Sequence, residues 1–354
     1  MKRKLVLQNG MEFIGHGFGS FKEVIAEVSF NTSVVGYQEI LSDPAYYDQM
    51  LCMTYTLIGN YGMIDEDYES KLIGPKALIV REYNDKPSNF RYTKTLTEVL
   101  EENDVVGITH VDTRQITRVI RQQGTMLGMI CDLEVTVEEA LEKMNAYVPC
   151  VQPISQVSCK KVWYSRCPNP KYNVVTVDCG AMYGMIRELN HLGCNVTIVP
   201  YNTSYEKIMA MNPDGIVIST GVESAQPCTE VVELIQKLQG QKPMLALGVG
   251  CQLLALANGL EVEKMSHGHH GISYPVRNVK TGKVEITNQN HGYVIKNVNE
   301  KVVMTHENVM DKTIEGIEVV GKQCFGAQFY ATNTLGVSHE LYQQFVEYMN
   351  KGGN

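Results

Sequence analysis

From residue 172 onward the chain repeats one rhythm, and that rhythm constrains its fold more than any other feature. Apolar runs of strand length, NVVTVD (173–178), NVTIVP (195–200), GIVIST (215–220) and PMLALG (243–248), alternate with longer amphipathic stretches. The intervening segments, MYGMIRELNHLG, SYEKIMAMN and TEVVELIQKLQ, carry apolar residues at helical spacing. Continuous apolar strands joined by such helices predict a parallel sheet covered on both faces. Ligands of such sheets bind at the carboxyl ends of the strands. Here those ends are Asp178-Cys179-Gly180, Ser219-Thr220-Gly221 and the turn at Gly248. Further short strands are expected around 286–295 and 323–331, with a closing helix over 339–350.

Residues 1–145 read differently. Short β-type runs (KLVLQNG, EFIGHGF, VIAEVSFN, KALIVREY, VVGITHV) are broken by turn residues and by helical segments near 93–102, 112–123 and 136–145. Asp112 suits a helix N-cap and Gly124 a C-terminal stop. This predicts a β-rich α/β domain over 1–145, followed by a Pro-containing stretch without periodicity, 146–171, expected as a linker. The third part, 172–354, is then the α/β domain.

Composition narrows the function. With 31 basic and 39 acidic residues among 354 and a formal charge of −8, the chain shows no basic run, which argues against nucleic acid as a partner. The start, MKRKLVLQNGMEF, has too short an apolar stretch for a signal peptide, and nothing resembles a membrane span; a cytoplasmic protein with no membrane partner is expected. Ten scattered cysteines without a CxxC pair read as buried thiols. The run His267-Gly268-His269-His270 reads as a loop connection, and no metal is expected.

The stretch LALGVGCQ (245–252) has the form of a nucleophile elbow, a strand-to-helix turn with small residues two before and two after its apex. Ala246 and Gly250 supply those flanks, but the apex, Gly248, has no side chain. Cys251 stands one helical turn further, flanked by Val249 and Leu253, which crowd an elbow centred there. A helix dipole would lower its pKa. His267, His269, His270, His291, His306 and His339 are the candidate bases of this half, and none lies in an obvious base-plus-acid arrangement; His339-Glu340 suits helix capping. These residues alone predict an α/β domain with a ligand pocket and no assured catalyst.

Longer stretches carry a family resemblance. EVSFNTSVVGYQEILSDPAYYDQ, TYTLIGNYG, ALIVREY, SNFR and DTRQITRVIRQQG in the first half, then QLLALANG, GHHG followed by PV, and QNHGYVI in the second, occur in order and spacing. From about residue 4 to 350 the chain resembles the small, glutaminase subunit of carbamoyl phosphate synthetase. The resemblance implies that family's own N-terminal domain plus a class I glutamine amidotransferase domain, flavodoxin-like with a mostly parallel sheet. It implies a heterodimer with a large synthetase subunit in pyrimidine or arginine biosynthesis. It implies no cofactor in this chain, ATP and Mg belonging to the large subunit.

The family's catalytic positions are altered. Aligned through Gln252, its nucleophilic Cys falls on Gly248, and the His three residues later falls on Cys251. Its Gln-Gly-His-Pro-Glu run corresponds to Gln328-Phe329-Tyr330-Ala331-Thr332, so Tyr330 replaces the base and Thr332 the orienting acid. Attack on a carboxamide needs a thiol, a base and a proton donor for ammonia. Tyrosine, with a reference pKa of about 10, is a poor base at neutral pH. The Gly-Pro-Gly-Asp-Pro loop reads Gly221-Val222-Glu223-Ser224-Ala225, setting a carboxylate where an oxyanion would form. Asp43-Pro44-Ala45-Tyr46 lacks the family's substrate-holding Ser, and Asp178-Cys179-Gly180-Ala181-Met182 ends in Met where the family has Lys. Gly221, Gln252, Asn290, Gly292 and Tyr293 survive from the set that binds glutamine or another small amide. The expectation is a scaffold or regulator of a large subunit that makes carbamoyl phosphate from ammonia. Two alternatives stand beside it. One is an unorthodox glutaminase using Cys251 with His267 or His291. The other is a repurposed small-molecule-binding protein whose pocket lies between Gly221, Gly248 and Asn290, with Glu223 and Tyr330 favouring a cationic or hydroxylated ligand.

Overall fold

Nine strands form in the first unit, Met1–Val151. They are β1 (Lys2–Leu7), β2 (Glu12–Gly19), β3 (Val24–Asn31), β4 (Gln49–Met53), β5 (Leu57–Ile58), β6 (Ala77–Ile79), β7 (Glu82–Tyr83), β8 (Val106–Thr109) and β9 (Met126–Cys131). Seven of them close into a barrel in the order β1-β2-β8-β6-β4-β3-β9, while β5 and β7 pair separately. Closure leaves no sheet edge unpaired. Side chains that alternate inward, among them Leu5, Leu7, Val28, Phe30, Ile79, Ile108 and Ile130, fill the interior. The helix Thr113–Gln123 lays Ile116, Val119 and Ile120 on this core. As the sequence predicts, Asp112 Oδ1 accepts the Gln115 N–H at 2.9 Å and Gly124 ends the helix. The DPAY segment is a short 3-10 turn in which Asp43 Oδ1 accepts the Ala45 N–H at 2.9 Å and Ala45 is buried.

The computed structural model describes residues 1–223, 228–332 and 336–352. Its second unit, Gln152–Asn354, is built on β10 (Trp163–Ser165), β11 (Tyr172–Cys179), β12 (Cys194–Pro200), β13 (Gly215–Gly221), β14 (Met244–Leu247), β15 (Val262–Asn278), β16 (Val284–Ile295), β17 (Val302–Asn308), β18 (Ile314–Val319) and β19 (Cys324–Ala327). These make one sheet ordered β10-β12-β11-β13-β14-β19-β18-β16-β15-β17. Its centre, β12-β11-β13-β14-β19, is parallel, and both margins are antiparallel. The four parallel strands read from the sequence lie where the apolar runs place them. Within 146–171, Pro153 opens the short helix Pro153–Val157, and Trp163–Ser165 pairs with β12. Residues 267–270, read from sequence as a loop, lie inside β15. The pairing with β16 shifts between Lys264 and His269, a bulge that admits Gly268 into a strand. Among the described residues, no helix is long and apolar enough to cross a membrane.

Candidate functional site

The carboxyl ends of β13, β14 and β19 converge on Gly248. Leu247 pairs with Ala327, and the Gly248 N–H donates to the Ala327 carbonyl at 2.9 Å. At Gly248 the backbone takes φ 56° and ψ −122°, and the helix Val249–Ala257 begins at the next residue. A side-chain-bearing residue held in a sparsely populated region such as this costs about 1–3 kcal/mol, whereas glycine enters positive φ readily. The strand–turn–helix form of an elbow is therefore present, with no side chain at its apex. Gly250 lets the helix lie on β13, since a Cβ there would come within 2.4 Å of the Ile218 carbonyl oxygen. A Cβ added to Gly248 would meet nothing nearer than Thr220 Cα at 3.4 Å.

Cys251 is fully buried in that helix. Burial pushes its thiol well up, and the charge of Glu315 adds to the effect. A helix-dipole contribution of about 0.3–1 kcal/mol does not offset such desolvation. The buried thiol lacks both the thiolate character and the access that a nucleophile needs.

Tyr330 and Thr332 follow the end of β19, beside β14. The Gln328 N–H donates to the Glu315 carbonyl at 2.8 Å and the Tyr330 N–H to the Asn288 carbonyl at 2.9 Å. Tyr330 is half-buried and Thr332 exposed. The expected binding residues are linked through a chain of contacts around the same turn. Gly221 ends β13 opposite Cys179, with Val249 Cγ1 3.1 Å from where its Cβ would stand. Gln252, buried, donates from Nε2 to the Tyr293 carbonyl at 3.2 Å. Asn290 Oδ1 accepts the His270 Nδ1–H at 2.7 Å. Burial pushes His270 down to about 3, so it stands neutral at physiological pH.

The Glu223 side chain lies directly over Gly292. A Cβ at Gly292 would fall 1.6 Å from Glu223 Oε1, so only glycine admits the carboxylate there. Glu223 Oε1 is also 3.9 Å from His270 Nε2. Ser224 and Ala225 of this loop lie outside the described residues. On the neighbouring loop, Asp178 accepts the Gly180 and Ala181 N–H groups on Oδ1 and the Cys159 N–H on Oδ2, a backbone-organising role.

An ionic cluster, buried at His269, His291 and Glu315 and reaching the surface at Asp311, escaped the sequence reading. His269 Nε2 is 2.7 Å from Asp311 Oδ2, and its Nδ1 is 3.2 Å from Glu315 Oε1. His291 Nε2 is 3.4 Å from Glu315 Oε2, and its Nδ1–H donates to the Tyr293 carbonyl at 2.9 Å. Burial would lower the His269 imidazolium, but hydrogen bonds to Asp311 and Glu315 outweigh it and raise the group to about 9. Burial opposes ionisation of Glu315, yet His291 and His269 hold its carboxyl below the usual range. Asp311 is likewise lowered, its burial overcome by His269. Register makes this cluster, since β15 sets His269 opposite His291 on β16. The signal available in sequence was Glu315 inside the strand run IEGIEV, an acid placed among core residues.

Residues 5–130 match the carbamoyl-phosphate synthase small chain, CPSase domain, and residues 175–347 match glutamine amidotransferase class-I. Over 354 residues the chain is 40% identical to the carbamoyl phosphate synthase pyrimidine-specific small chain of Halalkalibacterium halodurans, covering 99% of this chain and 97% of that one. It is also 40% identical over 361 residues to the carbamoyl phosphate synthase small chain of Bacillus caldolyticus, covering 99% of each. Among solved structures, a glutamine amidotransferase from Thermotoga maritima aligns with a TM-score of 0.37 at 15% identity, over 51% of this chain and 83% of that one.

Proposed function

The chain belongs to the carbamoyl phosphate synthase small-chain family, and from that premise we propose that it is a non-hydrolytic small subunit. It acts as scaffold or regulator for a large synthase subunit, and that partner forms carbamoyl phosphate from free ammonia. The observation that carries this reading is Gly248, whose backbone holds the elbow conformation while offering no nucleophile. Three further features support it. Tyr330 and Thr332 occupy the positions of base and orienting acid. Glu223 sets a carboxylate over Gly292, in the space a carboxamide would use, and a negative charge there opposes an oxyanion. Cys251, buried with its thiol pushed up, offers no substitute nucleophile. Of the glutamine-binding set that remains, Gln252 donates to the Tyr293 carbonyl, Asn290 accepts from His270, Gly221 ends β13 and Gly292 makes room for Glu223, so their presence does not require turnover.

The test is ammonia release from glutamine by the purified chain, alone and with a co-expressed large subunit. The expected result is no release above a buffer control, with carbamoyl phosphate formed from ammonium salts by the complex. Glutamine-dependent ammonia release by the purified chain would overturn the proposal, as would failure of the chain to co-purify with any synthase large subunit.

A further inference from the structure

At the margin of the second unit, the ends of β15, β16 and β17 meet the start of the helix Glu340–Gly352. We propose that Glu285, His306 and Glu340 form a binding site for a divalent transition-metal ion of the zinc class, with Asn278, Thr305 and His339 orienting the ligands. Nothing in this inference depends on whether the elbow is catalytic.

The geometry suits an ion. One donor atom from each of Glu285, His306 and Glu340 lies within 4.8 Å of the others. His306 Nε2 and Glu340 Oε1 are 3.6 Å apart. Two tetrahedral ligands bonded at about 2.1 Å stand roughly 3.4 Å from each other, so little movement is needed. Imidazole and carboxylate together are the donor set of open zinc sites, in which three protein ligands leave a fourth position free.

His306 is built for the role. It is 3% exposed, and buried polar atoms normally have close partners. Its Nε2 nevertheless has only long contacts among the described residues, 3.5 Å to Asn278 Nδ2 and 3.6 Å to Glu340 Oε1. The other nitrogen, Nδ1, is 3.0 Å from Thr305 Oγ1. An Nδ1–H donated to that hydroxyl fixes the tautomer whose Nε2 lone pair faces the carboxylates, as ligating histidines require. Gly316 lies opposite His306 in register, and a Cβ there would stand 2.6 Å from Nδ1. The ring is seated in a space that only glycine leaves open.

The carboxylates are oriented as well. Asn278, paired with His306 across β15 and β17, donates from Nδ2 to Glu340 Oε1 at 2.8 Å. His339 Nδ1 accepts the Leu341 N–H at 3.2 Å, which leaves Nε2–H to donate to Glu285 Oε2 at 3.1 Å. Outer-shell hydrogen bonds of this kind hold metal-ligating carboxylates in place. A cleft of about 590 Å³, lined in part by Asn278, His306 and Glu340, opens beside the cluster and gives an ion its entry path. The contrast with His269, His291 and Glu315 is informative. That trio also has its donor atoms within 4.8 Å, but His269 already holds Asp311 at 2.7 Å and Glu315 at 3.2 Å.

The experiment uses the full chain, stripped with a chelator and titrated calorimetrically with Zn²⁺, with Mg²⁺ as control. Cobalt substitution then reports the ligands, because ten cysteines are present and a thiolate site gives an intense charge-transfer band that an imidazole–carboxylate site lacks. One zinc per chain is expected, with no thiolate band in the cobalt spectrum. Affinity should fall at least about tenfold in each of His306→Gln, Glu285→Gln and Glu340→Gln. Glu340 is exposed at the surface, so its variant is expected to fold even where His306→Gln does not. Absence of zinc and cobalt binding, a thiolate band at the first equivalent, or unchanged affinity in Glu340→Gln and Glu285→Gln would each overturn the proposal.

Discussion

The elbow at Gly248 and the ionic cluster around His269 are neighbours that have kept opposite things. At the elbow every backbone feature is present: the positive φ, the Gly248 N–H on Ala327, the close seat of Gly250 on Ile218. The reactive atom is absent. In the cluster the side chains carry everything, and each charge faces an opposite one. The difference follows from what each feature rests on. An elbow's shape is set by strand register and helix packing, which remain favourable without the nucleophile. Glycine at the apex adopts that conformation at little cost, where a side-chain-bearing residue would be strained. A buried member of an ion cluster cannot be lost harmlessly, because a carboxylate such as Glu315, with no solvent access, is left with fewer compensating partners.

The largest expected effect tests that asymmetry. His269→Leu leaves Glu315, fully buried, without its principal hydrogen-bonding cation, and should cost about 3–5 kcal/mol in urea unfolding. The same cluster makes stability depend on pH. His269 is raised from 6.5 to about 9 in the folded chain, so its contribution is full below about pH 6.5 and is lost as pH rises through about 9. Glu315 and Asp311 are lowered from 4.5 and 3.8, so theirs is full above those values and is lost as pH falls through the folded pKa values. Unfolding midpoints should therefore decline from pH 6.5 to 9.5 in the wild type, and more shallowly in His269→Leu. Parallel declines in the two proteins would refute the assignment.

Restoring the apex is the next perturbation in size. Gly248→Cys has room for its Cβ but takes on the strained backbone, and should destabilise by about 1–3 kcal/mol. By itself it should release no ammonia from glutamine, because no base stands at Tyr330 and Glu223 still lies over Gly292. Adding Tyr330→His, Thr332→Glu and Glu223→Gly should raise ammonia release above the wild-type background. Turnover by Gly248→Cys alone would mean that another group serves as base.

Much of this was readable in the sequence, for identifiable reasons. The parallel strands announce themselves as apolar runs, and the empty apex is visible because glycine has no side chain wherever it folds. Asp112 and Gly124 mark helix ends through local hydrogen bonding. What escaped depends on register. β4 and β9 are short apolar stretches whose partners, β3 and β6 for β4 and β1 and β3 for β9, lie elsewhere along the chain. His267-Gly268-His269-His270 resembles a loop because glycine among histidines is a turn signal, whereas in the fold the glycine marks a bulge within β15. Glu223 is legible as a charge in the oxyanion loop, but its seat over Gly292 follows from how β13 and β16 are arranged in the folded sheet. The His269–Glu315 and His306–Glu340 pairings join residues far apart in sequence, which no local pattern records.

The smallest predicted effect concerns Cys251, and it separates the two neighbours most sharply. The residue follows the elbow closely and sits one helical turn in, where position alone suggests chemistry. Its surroundings place it with the core instead: it is fully buried, and its thiol is pushed up by burial and by Glu315. Cys251→Ala removes one sulfur from a packed site and should cost about 1 kcal/mol in urea unfolding, in the ordinary range for a core truncation. Ammonia yield from glutamine should be the same as that of the wild type, both at background. The informative comparison uses the reconstructed Gly248→Cys/Tyr330→His/Thr332→Glu/Glu223→Gly chain. If Cys251→Ala leaves its activity intact, Cys251 belongs with the packed core of the helix. A loss of ammonia release on Cys251→Ala, with the variant folded and the apex cysteine present, would return Cys251 to the active site and end the reading of the elbow as a turn emptied of its catalyst.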